Sequence, residues 1–211
     1  MFDFISFFVI IVLVVIFYMY FESQSYDVLP VKSTIDNQEY IVRNLPDKEE
    51  AANLLATIRA KMIELVNYLD KINSEDLEIY LRENDSVEDV QKSIKLLKKR
   101  FQPDNLSEST PNDKYTSYSV NKGEKLVFCL RSRNNNETLV DPNIMIFVAL
   151  HELSHIMTKS VGHTEEFWNN FRILLRVAIR QKIYHNLDFN NKPQDYCGTK
   201  ITDTPLSKDD I

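Results

Sequence analysis

The stretch that most restricts what this chain can fold into is an apolar run, Asn143-Ile144-Met145-Ile146-Phe147-Val148-Ala149-Leu150, leading straight into His151-Glu152-Leu153-Ser154-His155. Asp141-Pro142 before it marks a helix start, because Asp caps free amides and Pro needs no amide partner at the first helical position. A helix that is apolar nearly all round belongs in a core. Two imidazoles and a carboxylate at the end of such a helix are costly to bury without a partner such as a metal ion. Residues four apart share a helix face, so His151 and His155 can present their rings to one ion, with Glu152 about 100° round the axis. That is the H-E-x-x-H zinc arrangement.

The ligand count then decides the chemistry. A structural zinc site fills four positions with protein ligands, whereas two His plus one more residue leave a position for water, which the metal acidifies and Glu152 can deprotonate. The pattern therefore reads as hydrolytic. The third ligand is expected to be His163, with the Glu166 carboxylate one turn further on as the competitor. Glu165 or Glu166 could instead hold an imidazole in place, as ligating histidines usually require. His185 reads as an ordinary residue near a helix C-terminus, and Tyr196 as a packing tyrosine rather than an oxyanion donor. Zinc, one per chain, suits imidazole ligands best, although Co, Fe or Ni would also bind.

Other classes are excluded by composition. Three glycines in 211 residues leave no phosphate-cradling loop. A net charge of −6 gives no global pull towards nucleic acid. The lysines 92, 95, 98 and 99 with Arg100 read as a solvated face beside Glu88 and Asp89, and no specific nucleic acid partner is expected. Two cysteines, Cys129 and Cys197, are too few for a disulfide framework; two thiols or one bridge would fit, and a thiolate on zinc in a latent form is a further option.

Along the chain, Phe4 to Phe21 is an uncharged run long enough to cover most of a ~30 Å hydrocarbon layer, which predicts a membrane anchor over 1–22 with lipid contact through 4–21. Asp3 before it and Glu22-Ser23-Gln24-Ser25-Tyr26 after it do not suit a cleaved signal peptide. Lys32 and Arg43 follow the span, so the remainder is expected on the cytoplasmic side or in a virion membrane. Sequons at Asn84, Asn105 and Asn136 would be open to glycans on the opposite side. A polar stalk or a strand-like arm, punctuated by Pro30 and Pro46, is expected over 23–45. A helix then runs from Asp47, with a reciprocal cap to Glu50, to about Ile72. Asp76 to Leu81 forms a short helix, and Ser86 opens another that reaches Phe101. Residues 103–113 read as a loop. Tyr115–Val120 and Lys125–Leu130 predict a hairpin. Thr164 caps a last helix through about Tyr184, and no long element is expected from Asp188 onward.

His151-Glu152-Leu153-Ser154-His155, followed by Gly162-His163 and Phe167-Trp168, resembles the WLM and SprT-like branch of zinc metallopeptidases, some of which large DNA viruses encode. The resemblance covers about Tyr115 to Leu206. It implies zinc on His151, His155 and His163, Glu152 as catalytic base, and a protein or peptide substrate paired along a sheet edge beside the zinc helix. The spacer from His155 to His163 is longer than the compact WLM form. Some members act on DNA-crosslinked proteins, a role that the acidic pI and the expected span disfavour here. The expected architecture is an α+β, predominantly helical zincin-like metallopeptidase domain over 46–206, with helices in 46–102, hairpin and site in 114–206, a tail at 207–211 and one N-terminal transmembrane helix. The alternative is a non-catalytic, metal-stabilised scaffold of a membrane or virion assembly.

Overall fold

The computed structural model describes residues 4–24, 28–133 and 136–210. Helix α1, Phe4–Gln24, comes first. Strands β1, Val28–Lys32, and β2, Glu39–Arg43, precede the long α2, Lys48–Lys71. Short α3, Ser74–Glu78, and α4, Val87–Arg100, lead to β3, Leu106–Glu108, β4, Tyr118–Val120, and β5, Lys125–Phe128. Helices α5, Pro142–Met157, and α6, Glu165–Arg180, are followed by β6, Gln194–Tyr196, β7, Thr199–Ile201, and a 3-10 turn at Lys208–Asp210.

The sheet runs β1-β2-β3-β5-β4, antiparallel at both edge pairs and parallel in the middle. The mixed α/β character and the β4–β5 hairpin agree with the expectation. Of the stretch expected as a stalk or strand-like arm, residues 28–43 supply β1 and β2, and the loop expected over 103–113 contains β3. The polar tail holds a separate hairpin, β6–β7.

The membrane expectation is overturned. Among the described residues no helix is long and apolar enough to cross a membrane. The transmembrane helix and the single-pass localisation therefore do not stand, and no lipid contact through 4–21 is shown.

Helix α5 lies at the centre, against α2, α4 and α6, with β4 alongside. Every residue from Ile144 to Leu150 is buried, as its all-round apolar character requires. Asp141 caps it, accepting from the amides of Asn143 at 2.8 Å and Ile144 at 3.3 Å. Its far end is held by cations: Arg100 Nη1 donates to the carbonyls of Ile156 and Thr158, and Lys122 Nζ donates to those of His155, Thr158 and Ser160. These carbonyls have no partner within the helix, and positive charge is favoured at that pole. Lys122 reaches them from the β4–β5 turn, where Gly123 has φ +109° and a Cβ would stand 2.8 Å from the Arg100 carbonyl oxygen. Only glycine lets the turn come this close.

Candidate metal centre

Helix α5 sets two of the three imidazoles. His151 and His155, one turn apart, have ring centroids 4.9 Å from each other. The chain then leaves α5 at Thr158, turns, and returns through Gly162, φ +87°, to His163. Thr164 caps α6 by accepting from the Phe167 amide, so His163 sits at the junction before that helix. Its ring lies 5.0 Å from His151 and 4.9 Å from His155. The three rings thus form a nearly equilateral triangle, and one nitrogen of each lies within 4.8 Å of the others. Fully buried Phe167 forms the floor, 4.4 to 4.9 Å from all three rings, and Trp168 leans on His163 at 5.6 Å.

The donor set fits a zinc ion. His163 Nε2 and His151 Nε2 face each other at 3.1 Å. Imidazole–zinc distances of ~2.0–2.1 Å put two ligand nitrogens of one tetrahedral ion about 3.4 Å apart, so little adjustment is needed. Burial, reinforced by His155 and His163, lowers the His151 pKa to about 3; burial and His163 lower His155 to about 4. Both are neutral at pH 7 and keep a lone pair for a metal.

Glu152 is buried on the side of α5 that faces β4. Burial pushes its carboxyl up to about 8, while the Ser119 amide on β4 works the other way by favouring the charged form. A carboxylate that gains a proton easily at neutral pH is suited to carrying one. Strand β4 is an edge of the five-stranded sheet and lies beside this group.

Glu166 does not join the cluster. It binds the connecting loop, accepting from the Lys159 amide at 3.0 Å and from the Ser160 amide and hydroxyl at 3.2 and 2.9 Å. Burial opposes ionisation there, but these donors outweigh it and lower the pKa. Neither Glu165, which is exposed, nor Glu166 has a hydrogen bond to an imidazole. His185 is exposed and apart from the triangle; its backbone exchanges hydrogen bonds with the Asn143 side chain. Cys129 and Cys197 form a disulfide, which removes both as metal-capping thiolates. The lysine-rich α4 carries surface pairs, Lys92 with Glu88 and Asp89 and Lys98 with Asp70, in keeping with a solvated face.

Sequence reasoning missed the Phe167 floor, the Lys122 and Arg100 clamp, and the Ser119 amide. The phenylalanine entered the sequence reading through the Phe167-Trp168 pair of the family resemblance. The clamp and the amide depend on contacts distant in sequence and had no local signal.

Residues 81–208 match the WLM domain family. An uncharacterized protein of Acanthamoeba polyphaga mimivirus is 37% identical over 177 residues, covering 83% of each chain. Uncharacterized proteins of Invertebrate iridescent virus 6 and Invertebrate iridescent virus 3 are 31% and 34% identical over 84 and 68 residues. Those matches cover 38% and 32% of this chain and 44% and 42% of the two relatives. A crystal structure of Wss1 from Saccharomyces cerevisiae superposes with a TM-score of 0.41 at 23% identity, covering 67% of this chain and 88% of that one.

Proposed function

The chain belongs to the WLM family, a zinc metallopeptidase-like family, and from that premise we propose that it hydrolyses peptide bonds in protein substrates with Glu152 as the general base. The observation that carries this reading is the triangle of His151, His155 and His163 with the Glu152 carboxylate one residue along the same helix. These three imidazoles are the residues that would hold zinc. A zinc ion with three protein ligands polarises a carbonyl and lowers the pKa of water towards neutrality.

The other parts are the chain's own. Glu152 takes the proton of the attacking water and passes it to the departing amine nitrogen, a transfer suited to a carboxyl pushed up by burial. The Ser119 amide fixes the direction of that carboxylate. Strand β4 offers main-chain groups to an extended substrate, which gives binding with little dependence on side chains. Phe167 and Trp168 exclude water from one side of the imidazoles. We assign the peptidase domain to 46–206, and the strands of 28–43 join its sheet.

The test is metal analysis with a proteolysis assay on a denatured protein substrate. Wild type and Glu152→Gln are expected to bind equal zinc, one per chain, with cleavage only by wild type. Zinc in both and cleavage in neither would leave the metal-stabilised scaffold as the better reading.

A further inference from the structure

Among the described residues the β6–β7 hairpin stands outside the main sheet and pairs only with itself. A two-stranded hairpin is marginal in water unless something else holds it. Its tip is Cys197-Gly198, both at positive φ, +50° and +82°, as a two-residue hairpin turn demands. Cys197 at that tip is bonded to Cys129 at the end of β5.

Next to the bridge lies Tyr196, 5% exposed, whose phenol oxygen is 2.5 Å from the Ser117 hydroxyl. Ser117 also accepts from the Cys129 amide at 3.0 Å. Bridge, phenol and serine therefore close one small circuit between the hairpin and the start of β4. Two residues along, Ser119 directs its amide at Glu152. Burial raises the Tyr196 pKa well above the usual phenol value and the Glu152 charge adds to it, which keeps the phenol a neutral donor in this setting.

We propose that Tyr196 is a positioning residue for Glu152, acting through Ser117 and the edge of β4, and that the Cys129–Cys197 bridge is a redox-cleavable pin that keeps it in place. This rests on the peptidase reading. With the bridge closed, the phenol braces Ser117, and the Ser119 amide holds the carboxylate. With the bridge open, the hairpin loses its covalent anchor and the phenol leaves Ser117. Opening takes two electrons and two protons from a dithiol, which ends as its own disulfide and leaves Cys129 and Cys197 as thiols. No ligand of the metal site is touched, so activity falls while zinc remains.

The experiment compares four zinc-loaded full-length proteins: wild type, Tyr196→Phe, the double variant Cys129→Ala/Cys197→Ala, and the triple variant. Zinc content, kcat, KM and backbone amide exchange are measured for each. Tyr196→Phe and the double variant are each expected to lose about 10- to 100-fold in kcat with little change in KM, since a small misplacement costs that much. The triple variant should lose no more than either, because both changes remove one device. Amides of 194–201 and of Ser119 should exchange faster without the bridge, while those of α5 do not. A phosphine reductant on wild type should reproduce the double variant, and reoxidation should reverse it. Wild-type kcat in the double variant, multiplied losses in the triple variant, or unchanged exchange at Ser119 overturns the proposal. If wild type cleaves nothing, the peptidase reading fails by itself, and exchange at 194–201 and Ser119 still decides the pin.

Discussion

Replacing His163 with alanine separates a metal site from a chance grouping of imidazoles. In the metal-free protein the change should be mild. His163 is exposed, and what it loses is ring contact with Phe167 and Trp168, worth about 0.5–1.5 kcal/mol. With metal the balance differs. A ligand bound only by the folded chain adds RT ln(1 + [L]/Kd), about 4 kcal/mol when free zinc is 1,000-fold above Kd. Without His163 the ion keeps only His151 and His155. If that weakens binding 1,000-fold, the same zinc adds about 0.4 kcal/mol. At roughly 2–4 °C per kcal/mol for a chain of this size, zinc should raise the wild-type Tm by about 8–15 °C and the variant Tm by 1–2 °C. Calorimetry with and without zinc, beside direct metal analysis, reads both quantities. His185→Ala should keep the full zinc effect. Glu166→Gln, which loosens the loop rather than a ligand, should weaken zinc about 10-fold, or ~1.4 kcal/mol. An unchanged zinc shift in His163→Ala would refute the three-imidazole centre, and loss of metal in Glu166→Gln alone would place a carboxylate in it.

The Asp210 side chain is enclosed by Arg82, Arg172, Arg176 and Ser207. Burial works against its charge, but Arg82 and the Ser207 donors outweigh that and hold the pKa at about 2, against 3.8 ordinarily. A depressed carboxyl stabilises the fold above its unfolded value and loses that contribution as pH falls through the folded one. Asp210→Asn should therefore cost roughly 2 kcal/mol in urea unfolding at pH 7, and the gap from wild type should close between about pH 4 and pH 2. Arg131 is also buried, donating to Glu108 at 2.8 Å and to Asp47. Arg131→Met leaves the Glu108 carboxylate without its main cation and should cost about 3–5 kcal/mol, with partial recovery when Glu108→Met is added.

What could be read from the sequence follows a division between local and distant causes. Helix α5 was legible because its cap, its apolar face and the four-residue spacing of its histidines lie within one segment. Asp47 shows the limit. It precedes a helix and has Glu50 three residues on, yet it makes no capping bond, because Arg131, 84 residues away, takes its carboxylate. No local pattern announces that competition. Between a stalk and a strand-like arm the sequence did not choose, because Pro30 interrupts the stretch; β1 is the edge of the sheet, where proline is tolerated. Strand β3 is three residues long and owes its place to parallel partners on both sides, neither of them near it in sequence. Of the site, the positions of His151, Glu152 and His155 were set by helix geometry, and His163 by its place before a capped helix. The partners that fix their orientation, Ser119 and Lys122, come from another part of the sheet.

The same division indicates where metal affinity is set. His151 and His155 are held by a helix capped at one end by Asp141 and clamped at the other by Lys122 and Arg100, so their separation cannot vary without disturbing the core. His163 is held by less: the Thr164 cap, the three donors to Glu166, a Ser160–Thr164 hydroxyl bond at 2.7 Å and the Phe167 floor. Misplacing that ring by about 1 Å would change its two distances, to His151 and to His155, while leaving the His151–His155 side intact. Substitutions in the 159–164 loop should therefore change how tightly zinc is held without changing the fold. Substitutions in α5 away from its histidines should change the fold first. Parallel measurement of zinc affinity and metal-free stability in Ser160→Ala and Leu153→Ala tests this: the first should move affinity alone and the second, a buried leucine, should cost about 2–5 kcal/mol of metal-free stability. The opposite pattern would mean that the helix, not the loop, tunes the centre.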